Sequence, residues 1–450
     1  METASLRSRV LWLAASFVVL IAIPWPLAAQ QPAVNPSPPA QPAVSPSAQP
    51  GAGPGSQPLV SPPGPAAQPQ PPPSWQQGRP EGEGAAMLAP VPALPIATAV
   101  DKLPATKLKL PKKFNIEIYA AGLTNARSLR VDDKGNVFVS TRVLDRIYAI
   151  TDKNGKKAVK TLATGLNSPN GIALHNGTLY IAEINKISKI ENVADKLDDP
   201  PKPTVIYDDL PSDAPHGWKF LTVGPDNKLY FNVGAPCNIC LPPPTHAQIR
   251  RINLDGSGAE VVARGTRQIV GMDWHPMLKQ LYFTENQRDW LSEDQPNDKL
   301  NRLTQPGKDN FGFPYCAGGD ILDPQFGWGH SCDEFTKPLA QLGPHTAPLG
   351  MRFYRKMFPA EYRNAIFIAR HGSWNKSKKI GGDVVVALLN PDGTVKSVEP
   401  FITGFIVDNN YIGRPVDMEW LKDGSMLLSD DYNGAVYRIT YGPQRVSMKR

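Results

Sequence analysis

The strongest constraint on the fold is a pattern that returns six times between Ser128 and Asp431. Each occurrence has an apolar strand start, a turn and an apolar-aromatic pair: "SLRVDDKGNVFVST", "GIALHNGTLYIAE", "LTVGPDNKLYFNVG", "GMDWHPMLKQLYFTEN", "GMRFYRKMFPAEYRNAIFIARH" and "DMEWLKDGSMLLSDD". A further alternating strand follows each one: "RIYAI", "KISKI", "QIRRI", "KLNRL", "DVVVAL" and "AVYRI". The apolar pairs begin at Val137, Leu179, Leu229, Leu281, Ile366 and Met426, at intervals of 42, 50, 52, 85 and 60 residues. Alternating strands joined by turns such as "DKGN" and "HNGT" pair antiparallel. Several strands repeated about every 40 to 50 residues are propeller blades. The predicted class is therefore all-β, a six-bladed β-propeller.

The long fourth interval contains an insertion, about Gly307 to His345, that holds Cys316 and Cys332. Long loops in compact domains are usually functional, and a disulfide would restrain this one. Only two other cysteines exist, Cys237 and Cys240. Three pairings are open; the preferred one is local, Cys237 with Cys240 and Cys316 with Cys332, because each bond closes a short loop. "CNIC" lacks the histidine that covalent haem attachment needs, and no second pair stands at zinc-finger spacing.

Disulfides imply an oxidising compartment, and the chain's start agrees. In residues 1–29, Arg7 and Arg9 precede an apolar run that ends in Ala28 and Ala29, the make-up of a secretory signal. Val10 to Ala29 would also just cross a bilayer as an uncleaved anchor. Residues 30–99 hold 20 of the 48 prolines, between Pro32 and Pro95, with Arg79, Glu81 and Glu83 as that stretch's only charges. Such a segment buries too little apolar area to offset its ordering entropy and reads as a spacer. The propeller domain is then 100–450, in a periplasmic or secreted protein. The net charge of +7 is spread along the chain, which argues against a nucleic-acid partner.

If each blade starts at the axis, the loops entering first strands and leaving second strands share one face of the disc. That places His216, Arg267, Thr346 and Arg414 around the channel mouth, with Glu285 to Arg288, His371 to Lys378 and Asp430 on the same face. Converging arginines, lysines, a threonine and a histidine point to an anionic ligand. The alternative is ion pairing of Arg267 and Arg414 with Asp273, Asp417 or Asp430. A histidine titrates near neutral pH and suits proton transfer, but His371, His345, His330 and His246 compete with His216. The acidic run "TENQRDWLSEDQPNDKLN" lacks EF-hand spacing, although carbonyls at Gln287 and Arg288 remain candidate cation ligands. Trp218, Trp274, Trp374 and Trp420 are expected to pack between blades.

Several segments in order, "ARGTRQIVGMDWHP", "LYFTENQRDWL", "NFGFPYC", "APLGMRFY", "RHGSWNKS" and "GRPVDMEW", resemble the soluble pyrroloquinoline quinone (PQQ)-dependent sugar dehydrogenases, in particular the sorbosone dehydrogenase branch. The likeness spans about Leu110 to Tyr441 and implies a six-bladed propeller with the quinone over the channel mouth. It implies Arg267 beside the quinone, Gln268 next to it where relatives carry asparagine, Arg414 as a second arginine, and Lys376 where the branch carries arginine. Thr346 is a further implied ligand, and the carbonyls of Gln287 and Arg288 would hold a calcium ion. His216, eight residues ahead of "GPD", matches the base that takes a proton from a sugar's anomeric hydroxyl as hydride leaves for the quinone. Substrates would be sugars or small aldehydes, and an unidentified periplasmic acceptor would receive the electrons.

The sequence also departs from the glucose-oxidising members. Ala235 stands where they carry an aspartate that supports the histidine, Val416 replaces a basic residue and Gln287 a glycine. Two other readings follow: a non-catalytic envelope propeller that binds a protein or glycan, and a calcium-dependent lactone hydrolase.

Overall fold

A computed structural model of the protein describes residues 94–443, apart from 154, 214 and 355–357. The expected signal at 1–29 and the spacer up to residue 93 lie outside the described residues. Six four-stranded antiparallel sheets form the propeller. The first takes Leu129–Val131, Val137–Val139, Ile147–Lys153 and Lys156–Ala163; the second, Gly171–His175, Thr178–Ala182, Ile187–Ile190 and Thr204–Tyr207. The third takes Leu221–Val223, Lys228–Val233, Gln248–Asn253 and Glu260–Arg264; the fourth, Gln268–Trp274, Leu281–Asn286, Asn297–Arg302 and Ala340–Pro344. The fifth takes Pro348–Phe353, Ala365–Arg370, Asp383–Leu389 and Val395–Ile402. The sixth joins Pro415–Trp420, Met426–Asp430 and Ala435–Tyr441 to an outer strand from the other end of the chain, Phe114–Ala121.

The repeated apolar pairs explain this ring. In a strand, alternate residues face opposite sides, so each pair presents one residue to each neighbouring blade. Phe138 packs toward the second sheet with Ile172 and Ile181, while Val137 and Val139 pack toward the sixth with Leu427 and Val436. Each junction between neighbouring sheets has such a cluster. At the hub, first strands approach closely: a Cβ on Gly271 would stand 2.0 Å from the Leu349 carbonyl oxygen, so no side chain fits. The hub also carries a charged clasp in which Asp417 accepts from Arg352 at 3.0 Å and Arg130 at 3.4 Å.

Both disulfides form with the preferred pairing, Cys237–Cys240 and Cys316–Cys332. The insertion leaves the third strand of the fourth sheet and includes a hairpin, Cys316–Ala317 with Ile321–Leu322. One boundary is corrected: Ala340–Pro344, inside the stretch read as insertion, is the outer strand of the fourth sheet. A "KPLAQLGPH" run rich in proline and glycine gives little alternation by which to recognise it.

Ring closure rests on Phe114↔Tyr441 through Ala121↔Ala435. Phe114 anchors that strand, meeting Phe358, Tyr362 and Phe401 edge-on at 4.8, 5.8 and 5.0 Å. Phe114→Ala is expected to cost about 3–5 kcal/mol, read as a lowered midpoint in chemical denaturation; a loss under about 1 kcal/mol would show that closure does not depend on this ring.

Candidate active site

A recurring hydrogen bond aims the residues at the channel mouth. A polar side chain ending the second strand accepts the backbone N–H of the loop entering the first strand. Ser140 does this for Ser128 N (2.8 Å), Glu183 for Asn167 N (2.6 Å) and Asn232 for Phe220 N (2.7 Å). Glu285 does it for Arg267 N and Asp430 for Arg414 N, both at 2.9 Å. The fifth sheet uses a neighbour instead, with Asp298 accepting from Ala347 N at 2.8 Å. Glu285 and Asp430 are thus structural acids: they hold the loops from which Arg267 and Arg414 project.

Those loops surround a cavity of about 360 Å³. Five of the eight site residues named from sequence line it, His216, Arg267, Gln268, Gln287 and Arg414, together with Asn286, His371, Gly372, Trp374 and Asn375 from the stretches expected on this face. Thr346, Lys376 and Arg288 are not on its wall. The Thr346 hydroxyl is buried and donates to the Leu342 carbonyl at 3.1 Å, the Lys376 ammonium meets Asp294 at 2.8 Å, and the Arg288 guanidinium reaches Asp323 at 2.6 Å. The sequence analysis missed Arg127, Arg142, Asp289 and Asp431 on this wall. The positional rule would have reached Arg127, just before a first strand, and Arg142, just after a second. Of the tryptophans, Trp218 and Trp374 face the cavity rather than packing only between blades. Trp274 and Trp420 pack as expected, against Tyr230 and Phe358.

His216 sits in a left-handed backbone conformation, φ 50°, in the loop before the third sheet. Its close neighbour is Gly234, where a Cβ would come within 2.7 Å of the histidine's own Cβ. Nδ1 lies 2.8 Å from the Ala235 carbonyl oxygen. A carbonyl only accepts, so Nδ1 carries the proton and Nε2 keeps its lone pair. Burial, then the Arg267 charge, push the imidazole down to about 3, against the upward pull of the Ala235 hydrogen bond. Turning the Gln268 amide lets it donate to the His216 carbonyl at 3.1 Å and accept from Trp218 Nε1 at 3.0 Å. Gln268 therefore secures the histidine loop.

Arg267 is held on several sides. Its guanidinium donates to the Asn238 carbonyl and side-chain oxygen, both at 2.8 Å, and pairs with Asp289 at 3.1 Å. Arg414 donates to the carbonyls of His371 (3.0 Å) and Gly372 (2.6 Å) and lies over the Tyr411 ring at 4.7 Å. Burial lowers both guanidiniums below their ordinary range. Opposite His216, His371 donates from Nε2 to Asp431 at 2.7 Å, and Asp431 also meets Arg127 at 2.9 Å. Burial, then Arg414, push His371 down to about 3. Burial opposes ionisation of Asp431, yet His371, Arg127 and Arg414 hold it below the usual carboxylate range. The pair is read as a neutral imidazole donating to a carboxylate, because Arg127 already balances the negative charge.

Three buried polar atoms of wall residues have no partner among the described residues, Arg142 Nε, Gln287 Nε2 and Asn375 Oδ1. The other end of the Gln287 amide accepts from Gly318 N at 3.0 Å, so the insertion orients it. Burial pushes Asp298 up to about 6 despite hydrogen bonds from Gln287 N and Ala347 N. No three His, Cys, Asp or Glu side chains gather as a metal cage among the described residues.

Residues 108–320 and 328–442 match the TrAA12-like family model. The chain belongs to the TrAA12-like family. A Borreliella burgdorferi protein described only as uncharacterized is 34% identical over 363 residues, covering 77% of this chain and 94% of its own. Solved structures share the fold. The calcium structure of the Trichoderma reesei family AA12 enzyme superposes with a TM-score of 0.65 at 19% identity, over 74% of this chain and 97% of its own. The holo PQQ domain of Coprinopsis cinerea pyranose dehydrogenase gives 0.62 at 21%, over 74% and 97%. The PQQ-bound aldose sugar dehydrogenase of Streptomyces coelicolor gives 0.51 at 18%, over 74% and 99%. The TrAA12-like match spans all six sheets and so every residue of the cavity wall.

A histidine kept neutral in the fold binds its proton more weakly there than in the unfolded chain. Stability should therefore fall as pH drops from about 6.5 toward about 3, by up to about 1.4 kcal/mol per pH unit for each such histidine. Nitrogen-15 NMR of the imidazoles at pH 5 checks this: His216 should show a protonated Nδ1 and a bare Nε2, and a doubly protonated ring would contradict the assignment.

Proposed function

We propose that this protein is a PQQ-dependent oxidoreductase that oxidises the aldehyde or hemiacetal carbon of sugars or related small compounds. The observation that carries the reading is the neutral His216, its Nδ1–H fixed on the Ala235 carbonyl and its ring on the wall of an arginine-rich cavity. Residues on that wall suit a flat tricarboxylate. Arg267, Arg414 and Arg127 supply positive charge, Trp374 supplies an aromatic wall, and Gln287 Nε2 is a donor with no partner among the described residues. Calcium would draw on oxygen ligands: the carbonyls of Gln287 and Arg288, with Asn375 Oδ1, unpartnered among the described residues, as a further oxygen on the wall.

When bound, the quinone supplies the two-electron acceptor for hydride. The chain supplies aim and field. His216 Nε2 takes the proton of the hydroxyl on the reacting carbon, and the Ala235 carbonyl steadies the ring as it gains charge. General-base help of this type contributes about 10² to 10⁴ in rate. Arg267, pinned by Asn238, provides a fixed positive field for negative charge that grows during the reaction. Export by the N-terminal segment, with cleavage after Ala29 or retention as an anchor, is part of the same proposal.

Titrating the metal-loaded apo-protein with PQQ, followed by absorbance and dye reduction on aldoses, tests it. His216→Asn is expected to lower turnover about 10² to 10⁴-fold while quinone affinity changes little. Failure of the quinone to bind would overturn the reading; lactone hydrolysis without quinone would favour the hydrolase, and glycan or protein binding without turnover the non-catalytic propeller.

A further inference from the structure

Arg142 and Trp218 belong to two cavities at once. Beside the central cavity lies a groove of about 450 Å³ between the loop leaving the second strand of the first sheet and the loop entering the second sheet. Its walls are Val143, Leu166 and Ile184, with Asn167 supplying an amide. Val143 is 59% exposed, so the groove opens to solvent. Trp218 links it to the base, its ring 6.0 Å from the His216 ring.

Arg142 lies over that indole, its guanidinium carbon 4.6 Å from the ring centroid. Stacking of this kind fixes the plane of the guanidinium. Its Nε is buried and has no partner among the described residues. The carboxylate lining the groove, Asp145, is already engaged by Gly165 N and by Arg146, each at 3.1 Å. On the cavity side, Asp431 is held by Arg127 at 2.9 Å and His371 at 2.7 Å. Arg142 feels the Asp431 charge, but that carboxylate is shared with Arg127 and His371, and a buried Nε with no acceptor is costly unless an anion arrives.

We propose that this groove is a saccharide subsite continuous with the central cavity, where Arg142 selects a sugar unit bearing a carboxylate. The proposal rests on the sugar-oxidising reading and names its substrate class, an acidic saccharide whose uronate unit lies next to the unit at His216. One guanidinium with an unmet Nε donor matches one planar monoanion, whereas a phosphate dianion would leave excess negative charge in the groove. The apolar walls suit the C–H faces of a pyranose, and Asn167 suits its hydroxyls.

Calorimetry with cellobiouronic acid and cellobiose tests this on the apo-protein and on the protein loaded with PQQ and calcium. The acid should bind at least about 10-fold more tightly than the neutral sugar in both states. That preference should shrink as salt rises from about 0.05 to about 0.5 M. Arg142→Gln should bring the two affinities within about 2-fold, and Arg142→Lys should keep part of the difference. Equal affinities in the wild type, or no measurable binding of either sugar, would overturn the proposal, and the wild-type comparison stands even if a variant does not fold. A preference that survives in Arg142→Gln, or vanishes once the quinone is bound, would overturn it too, the latter by making Arg142 the quinone's counter-ion. Calorimetry needs no turnover, so failure of the oxidoreductase reading would show separately, as absent dye reduction with both sugars alongside an intact preference.

Discussion

The structure depends on closing a ring, and closure is made by two distant parts of the chain. Phe114–Ala121 pairs with Ala435–Tyr441, so the sixth sheet is completed by a strand that precedes the first. The central cavity takes Arg127 and Arg142 from the first sheet's loops, His216 from the third's, Arg267 from the fourth's and Arg414 from the sixth's. No single blade holds a site. Without the terminal pairing the sixth sheet loses its outer strand, and the first and sixth sheets, which pack face to face through Val137, Val139, Leu427 and Val436, lose the strand that ties them.

Gathering guanidiniums at one end of a low-dielectric axis is electrostatically expensive. The fold offsets the cost by using different partners for different arginines. Arg127 and Arg267 are matched to carboxylates, Asp431 and Asp289, whereas Arg414 donates to main-chain carbonyls. Arg130 and Arg352, near the same axis, share Asp417 and lie over Phe220. Of the acids behind the mouth, Glu285 is balanced by the buried Lys299 ammonium at 3.1 Å, and burial pushes Asp430 up to about 6.

The blades were legible in the sequence because strand alternation, turn residues and the repeat interval are local properties that survive any packing. Both disulfides were legible for the same reason. His216, Arg267, Gln287 and Arg414 were placed at the mouth by position within the repeat and Gln268 by the family resemblance, and all five line the cavity, whereas Thr346, placed by the same positional rule, does not. The misplaced part is longer-range. Lys376 follows Asn375, which does line the cavity, yet its long side chain turns to Asp294; nothing local in "HGSWNKS" tells which partner a lysine will find. Arg288 was named for its main-chain carbonyl, and its side chain turns to Asp323 of the insertion. Arg127 and Arg142 flank the strands of the first sheet as the positional rule requires, although neither was singled out from sequence.

The support of His216 is also something only coordinates could reveal. Ala235 removes a carboxyl that a side-chain reading expects, but its carbonyl takes over the orienting hydrogen bond, and a carbonyl is invisible to residue identity. The exchange changes the chemistry. A carboxylate partner would raise the imidazole by opposite charge, whereas a carbonyl contributes only a hydrogen bond, which burial and Arg267 overcome. The ring is therefore well oriented and weakly basic. On the proposed reading, such a base takes a hydroxyl proton most readily as hydride leaves in the same step, and the ring then carries that proton until solvent removes it. Its neutral state and single tautomer persist across ordinary pH, since a carbonyl cannot titrate.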